Sequence, residues 1–259
     1  MHNSTIIEFD NVSYSVAGKK INKNISFKIN NGDLLSIVGP NGSGKTTMIR
    51  MMSGELKPTA GTIKFEGKKI INWDTKDLAC KRAILSQSNN LSFPFSVYDV
   101  ICMGRYPVSE YQYLEDSSEQ SIIKYVIDCF DLKEFKDRNY LTLSGGERQR
   151  VQLARIFAQI WSKNNYYDKL IILDEPTSFL DIYHQIQLYE LIIKLNKKGL
   201  TVVMVLHDIN HALMYSNEVM MIKDSALKYF GKVNETINKN SIQEIFNVEY
   251  GDYFYKTKI

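Results

Sequence analysis

Leu34-Leu35-Ser36-Ile37-Val38-Gly39-Pro40-Asn41-Gly42-Ser43-Gly44-Lys45-Thr46-Thr47 is the stretch that decides the fold of this chain. A compact apolar run ends at Gly39 and reads as a buried strand entering a glycine turn. Gly39–Thr46 matches the pattern GxxxxGK[ST] in full. The spacing has a physical reason. Glycines let the backbone curl until successive N–H groups point inward at phosphate oxygens. The helix expected over Thr46–Met52 adds its positive N-terminal end. Lys45 is placed to reach the β- and γ-phosphates, and the Thr46 hydroxyl to ligate Mg²⁺. The alternative, a bare glycine turn, leaves the strand before the loop and the helix after it unexplained.

Two further segments extend this reading. Leu170-Ile171-Ile172-Leu173-Asp174-Glu175-Pro176 is an apolar strand that delivers two carboxylates at its end. Such an end is ordinarily a turn or a helix cap. Downstream of a phosphate loop, Asp174 suits the Mg²⁺ shell and Glu175 suits polarising an attacking water. Leu143-Ser144-Gly145-Gly146-Glu147 precedes a helix expected to reach Gln159. It forms a second anion site of backbone amides and helix dipole. One ATP needs one cradle, so two cradles per chain suit an arrangement in which two chains share each nucleotide. As an isolated pentapeptide the segment is an N-capped helix start.

Strand-like alternation appears at Ile6–Phe9, Ile25–Ile29 and Gly61–Phe65. From about residue 89 to 159 apolar positions recur at helical spacing, through Val97–Met103, Ile122–Phe130 and Val151–Ile160, and suggest a helical insert. Leu170–Leu173 and Thr201–Leu206, with a helix near Tyr183–Leu195 between them, suggest parallel strands of an α/β sheet. The segment from Lys232 onward shows one possible helix, Ser241–Phe246.

The chain has 259 residues, 44% hydrophobic and 24% charged, with a net charge of +3. That composition is ordinary for a globular protein. The charge is too small and too dispersed for a nucleic-acid footprint, and no nucleic-acid partner is expected. Met1–Asp10 lacks a basic segment followed by an apolar one, so no secretory signal is expected. No apolar run approaches the roughly 18 to 20 residues that cross a bilayer. Cys80, Cys102 and Cys129 lie far apart and suit a reducing compartment.

On these residues the chain resembles the ABC transporter ATPase family along nearly its whole length. Gly39–Thr46 resembles the Walker A loop, Leu143–Glu147 the family signature, and Leu170–Glu175 Walker B with its catalytic glutamate. Gln87 stands where the family has its Q-loop glutamine, and His207 where it has the switch histidine. Ser178-Phe179-Leu180-Asp181 resembles the D-loop, with phenylalanine where the family usually has alanine. Tyr14, 25 residues before Gly39, stands where the family places an aromatic that stacks on adenine.

The resemblance implies a single domain over 1–259. Its core is a mixed sheet of the P-loop NTPase type, with an antiparallel β subdomain and a helical subdomain at about 89–159. It implies ATP and Mg²⁺ as cofactors. Gly39, Pro40, Asn41, Gly42, Ser43, Gly44, Lys45, Thr46, Thr47 and Tyr14 are the expected ATP contacts, with Thr46, Gln87 and Asp174 at the metal. Glu175, His207 and Gln87 are the expected catalytic groups. Ser144, Gly145, Gly146 and Glu147 are expected to contact the ATP of a second copy in a head-to-tail homodimer, and Asp181 is the expected D-loop acid.

Phe93-Pro94-Phe95-Ser96-Val97 followed by Met103-Gly104-Arg105-Tyr106-Pro107 resembles the ATPases of the iron-chelate, haem and vitamin B12 importers. The stretch Ala158–Asp168 is similar to that of the haem importer subunits. This implies an ATPase serving a permease dimer, indirectly a substrate-binding protein, and a peripheral place on the cytoplasmic face of the membrane. Haem is the expected cargo, with a ferric siderophore or vitamin B12 as alternatives. Packing of Phe93 and Phe95 against the helical insert is compatible with any of these cargoes. A soluble ABC ATPase acting on DNA or ribosomes is the rival class. Only 96 residues separate Thr46 from Leu143, with no heptad run between them, and one cassette is present. A zinc helix at His207 and His211, four apart, lacks an evident third ligand.

Overall fold

The computed structural model describes residues 4–86, 91–109, 117–163 and 165–248. The chain divides into two compact units, residues 1–71 with 203–259 and residues 72–202.

The first unit contains two sheets. Strand β1 (Thr5–Val16) pairs antiparallel with β2 (Lys19–Asn30), in register Phe9↔Phe27 and Ile7↔Ile29. The rings of Phe9 and Phe27 stack at 4.5 Å. On the other face Glu8 bridges Lys28 at 3.0 Å and Lys64 at 2.9 Å. Alternation of apolar and charged residues thus gives one core face and one wet face. The order of this sheet is β2-β1-β4-β5, with β4 Ala60–Phe65 and β5 Lys68–Lys69.

The second sheet of this unit runs β10-β9-β3-β8, with β3 Leu34–Val38, β8 Thr201–Val205, β9 Glu218–Lys223 and β10 Ala226–Lys232. All five residues of β3 are buried, as expected of a strand covered on both faces. β3 and β9 are parallel. Helices α1 (Lys45–Met52), α8 (Ile209–Tyr215), α9 (Val233–Thr236) and α10 (Lys239–Phe246) complete the unit. The Tyr229 hydroxyl donates to Glu244, and Lys223 donates to the Asn247 side chain at 2.9 Å, so α10 is pinned to this sheet.

The unit boundary falls within β8. In the second unit the order is β8-β7-β6, with β6 (Arg82–Leu85) parallel to β7 (Leu170–Asp174). Its helices are α2 (Thr75–Lys81), α3 (Val97–Cys102), α4 (Tyr106–Ser109), α5 (Ser117–Cys129), α6 (Gly145–Ile160) and α7 (Ile182–Asn196). Helix α6 is the axis of its packing: Val151, Leu153, Ala154 and Phe157 are fully buried, and Phe157 meets Phe130 at 5.4 Å.

The pattern Met103-Gly104-Arg105 has a packing explanation. A Cβ on Gly104 would stand 2.2 Å from the Arg155 carbonyl oxygen of α6, so only glycine permits the approach. Arg105 is buried and grips Glu119 of α5 with two bonds, 2.6 and 2.9 Å. Its third bond goes to the Ala158 carbonyl of α6. The end of α6 is likewise anchored by aromatics: Trp161 caps α6 and packs on Tyr125 at 4.5 Å and Tyr166 at 6.2 Å. Among the described residues no helix is long and apolar enough to cross a membrane.

Candidate functional site

In the first unit, β3 ends at Val38 and the loop 39–44 follows. Gly39 has φ +156°, and a Cβ there would lie 2.1 Å from the Ile222 carbonyl oxygen of β9. Gly42 and Gly44 have φ +76° and +102°. These conformations strain any residue with a side chain. Gly44 is the N-cap of α1, with no side-chain cap and no acidic residue in the first turn. The positive helix start is therefore left for an anion. Lys45 is 6% exposed, and its ammonium donates to the carbonyls of Gly39 at 2.8 Å and Pro40 at 2.9 Å. The buried Ser43 hydroxyl oxygen has no hydrogen-bond partner among the described residues. Thr46 and Asn41 are exposed. An uncapped helix start, a closed-in cation and an unmatched hydroxyl fit a polyphosphate.

His207 occupies an exposed bend separated from the end of β8 by Leu206. The amide of the preceding Leu206 donates to the Ile37 carbonyl at 3.1 Å, so the chain enters the His207 turn alongside the strand that feeds the phosphate loop. Asp208 is the N-cap of α8 and accepts from Asn210 N–H at 2.8 Å. The His211 ring packs edge-on to Tyr215 at 6.0 Å. Tyr14 is half-exposed on β1, opposite Asn22 of β2.

In the second unit, β7 ends at the buried Asp174. Glu175 follows with φ +51°, a left-handed conformation that is uncommon outside glycine and clusters at functional sites. Its carboxylate accepts from the Ser178 hydroxyl at 3.4 Å. Ser144 caps α6 in a reciprocal box: it accepts from Glu147 N–H at 3.3 Å, and its own N–H donates to the Glu147 carboxylate at 2.6 Å. That amide holds the Glu147 carboxyl below its ordinary range. Asp181 caps α7, accepting from the His184 N–H at 2.9 Å and meeting the His184 ring at 2.8 Å. The His184 amide is the main reason its carboxyl also lies low.

The structure brings Ser144–Glu147 and Ser178–Asp181 together. A pocket of about 260 Å³ opens between them, lined by Ser144, Gly146, Glu147, Arg150, Phe179 and Asp181 among others. Phe179 has φ +66° and is 80% exposed. A Cβ on Gly145 would touch its ring at 3.5 Å, and one on Gly146 would stand 2.7 Å from its carbonyl oxygen. The departure from alanine at this position is accommodated by turning the ring outward, against Gly145. Gln87 lies outside the described residues.

A family profile described as ABC transporter matches residues 22–178. The "Hemin import ATP-binding protein HmuV" of Rhodopseudomonas palustris (strain BisA53) is 35% identical over 95% of this chain and 89% of its own length. The protein of the same name from Gloeobacter violaceus is 35% identical over 92% of this chain and 86% of its own. The solved dimeric structure of MJ0796, a bacterial ABC transporter cassette, superposes with a TM-score of 0.74 at 27% identity, covering 88% of this chain and 98% of that one. The chain belongs to the ABC transporter family. It is an ATPase cassette of the α/β P-loop type.

Proposed function

We propose that this chain is the ATP-hydrolysing subunit that powers import of haem through a separate membrane permease. The loop carries the motor half of this reading: Gly39–Thr46, with its strained glycines, uncapped helix start and inward-folded Lys45. The cargo rests on the likeness to the two hemin import ATP-binding proteins.

Lys45 and the loop amides of Asn41–Thr47 hold the phosphates, with Gly39 and Pro40 shaping the entry to the loop, and Tyr14 stacks on adenine. Thr46, Asp174 and Gln87 offer the hard oxygen donors that suit Mg²⁺, which when bound offsets phosphate charge. Glu175 orients and deprotonates the attacking water. His207 reads the γ-phosphate. Ser144, Gly145, Gly146 and Glu147 present backbone amides to the ATP of a second copy, and Asp181 lies at the same interface. The working unit is a homodimer on a permease dimer, peripheral to the cytoplasmic face of the membrane and supplied by a substrate-binding protein. ATP binding favours the closed pair and hydrolysis releases it, because closure adds the second copy's signature contacts to those that one chain already makes with the γ-phosphate.

The test is ATP-driven uptake by vesicles that hold this chain with its permease, offered haem or a ferric siderophore through the matching binding protein. Haem uptake that disappears in Glu175→Gln is the expected result. Uptake of siderophore without haem would discard the cargo and keep the motor.

A further inference from the structure

Asn22 is fully buried at 0% exposure, a polar side chain inside the first unit. Its Nδ2 donates to the Gly44 carbonyl at 3.3 Å, while its Oδ1 has no hydrogen-bond partner among the described residues. A buried amide satisfied on one side only weakens a fold. It is therefore retained against stability, unless what it touches needs it.

What it touches is the last residue of the phosphate loop. The Gly44 carbonyl already accepts the Met48 N–H at 3.0 Å as the first bond of α1. Asn22 adds a second donor to the same oxygen. In a trans peptide the C=O and the following N–H point in opposite directions. Holding the Gly44 oxygen therefore aims the Lys45 N–H, in the first turn of α1. It also polarises that peptide group, which strengthens the N–H as a donor. The fit is close: a Cβ on Gly44 would stand 2.8 Å from Asn22 Nδ2 and 2.5 Å from the Ile21 carbonyl oxygen.

We propose that Asn22 is a positioning residue for the phosphate loop, gripping the Gly44 carbonyl so that the Lys45 amide points at bound phosphate. This rests on the reading of Gly39–Thr46 as the nucleotide loop. It predicts that stability and nucleotide affinity part company at this position.

The experiment measures ATP affinity by titration calorimetry and thermal midpoint on the full chain, for wild type, Asn22→Leu, Asn22→Ala and Lys45→Ala. Leucine matches the branched shape of asparagine without its polar atoms. Asn22→Leu should bind ATP about fivefold more weakly, the factor expected of one hydrogen bond, with a midpoint no lower than wild type. Asn22→Ala should show the same weakening with a lower midpoint, and it keeps the test open should leucine overfill the site. In turnover the loss should fall on KM with kcat unchanged, because the amide serves ground and transition states alike. ATP affinity within twofold of wild type in both Asn22 variants overturns the proposal. Equal ATP affinity in wild type and Lys45→Ala would instead overturn the nucleotide-loop reading on which it rests.

Discussion

Gly145 and Gly146 are adjacent, both within the first turn of α6, and neither has a positive φ. Helix propensity alone would have alanine stabilise either position by about 0.5 to 1 kcal/mol. The structure separates them. A Cβ at 145 meets the Phe179 ring at 3.5 Å, an ordinary contact, whereas a Cβ at 146 meets the Phe179 carbonyl oxygen at 2.7 Å. That oxygen is backbone, and Phe179 is already held at φ +66°, so it has little freedom to withdraw. Overpacking of this kind costs about 1 to 3 kcal/mol. Gly146→Ala should therefore be less stable than wild type by about 1 to 2 kcal/mol after the propensity gain, and Gly145→Ala equal or slightly more stable. Both tryptophans, Trp73 and Trp161, lie in residues 72–202. Urea unfolding followed by tryptophan fluorescence thus reports on the unit that holds both glycines. Equal midpoints for the two variants would refute the close approach of Phe179 to the start of α6. Loss of hydrolysis in Gly146→Ala with single-chain ATP binding spared would extend the result to function.

Removing the Glu119 carboxylate leaves Arg105 buried without its bidentate partner; Glu119→Ala should cost about 3 kcal/mol, and a change under 1 kcal/mol in the same urea assay would contradict the pairing. The low carboxyls of Glu147 and Asp181 fix the sign of a pH effect. Each group contributes stability that is whole above its unfolded value, 4.5 and 3.8 respectively, and that is lost as pH falls through the lower folded value. The helix starts at 144 and 181 should loosen on acidification, and Glu147→Gln should flatten that decline in the pH dependence of the urea midpoint. An unchanged profile would place the decline elsewhere.

Much of this was legible because the chemistry demands local patterns. The expected helix at Thr46–Met52 is α1 at Lys45–Met52, and that near Tyr183–Leu195 is α7 at Ile182–Asn196. Leu170–Leu173 and Thr201–Leu206 are strands β7 and β8, each buried along its length. The phosphate loop follows a strand and opens a helix, as its glycine spacing requires.

What was missed is non-local. Strict alternation counted back from Ile29, Phe27 and Ile25 puts Lys23 inward, yet Asn22 is the buried residue. An extra residue on β2 shifts the register between Ile25 and Asn22, where Asn24 has φ +45°. No period-two reading anticipates such a bulge. The left-handed backbone of Glu175 has no sequence signal of its own. Arg105 and Glu119 are 14 apart in sequence and in separate helices, and only the folded chain brings them within hydrogen-bond reach. Strand β10 has no buried residue along its length, which weakens the pattern that marks a strand at a sheet edge.

The most direct measurement is the mass of Glu175→Gln in solution with and without ATP, by light scattering, alongside its turnover. The expected result is a single chain without nucleotide, a pair of chains with ATP bound, and turnover close to zero. A variant that stays monomeric at saturating ATP, or hydrolyses it at the wild-type rate, would contradict the shared-nucleotide motor.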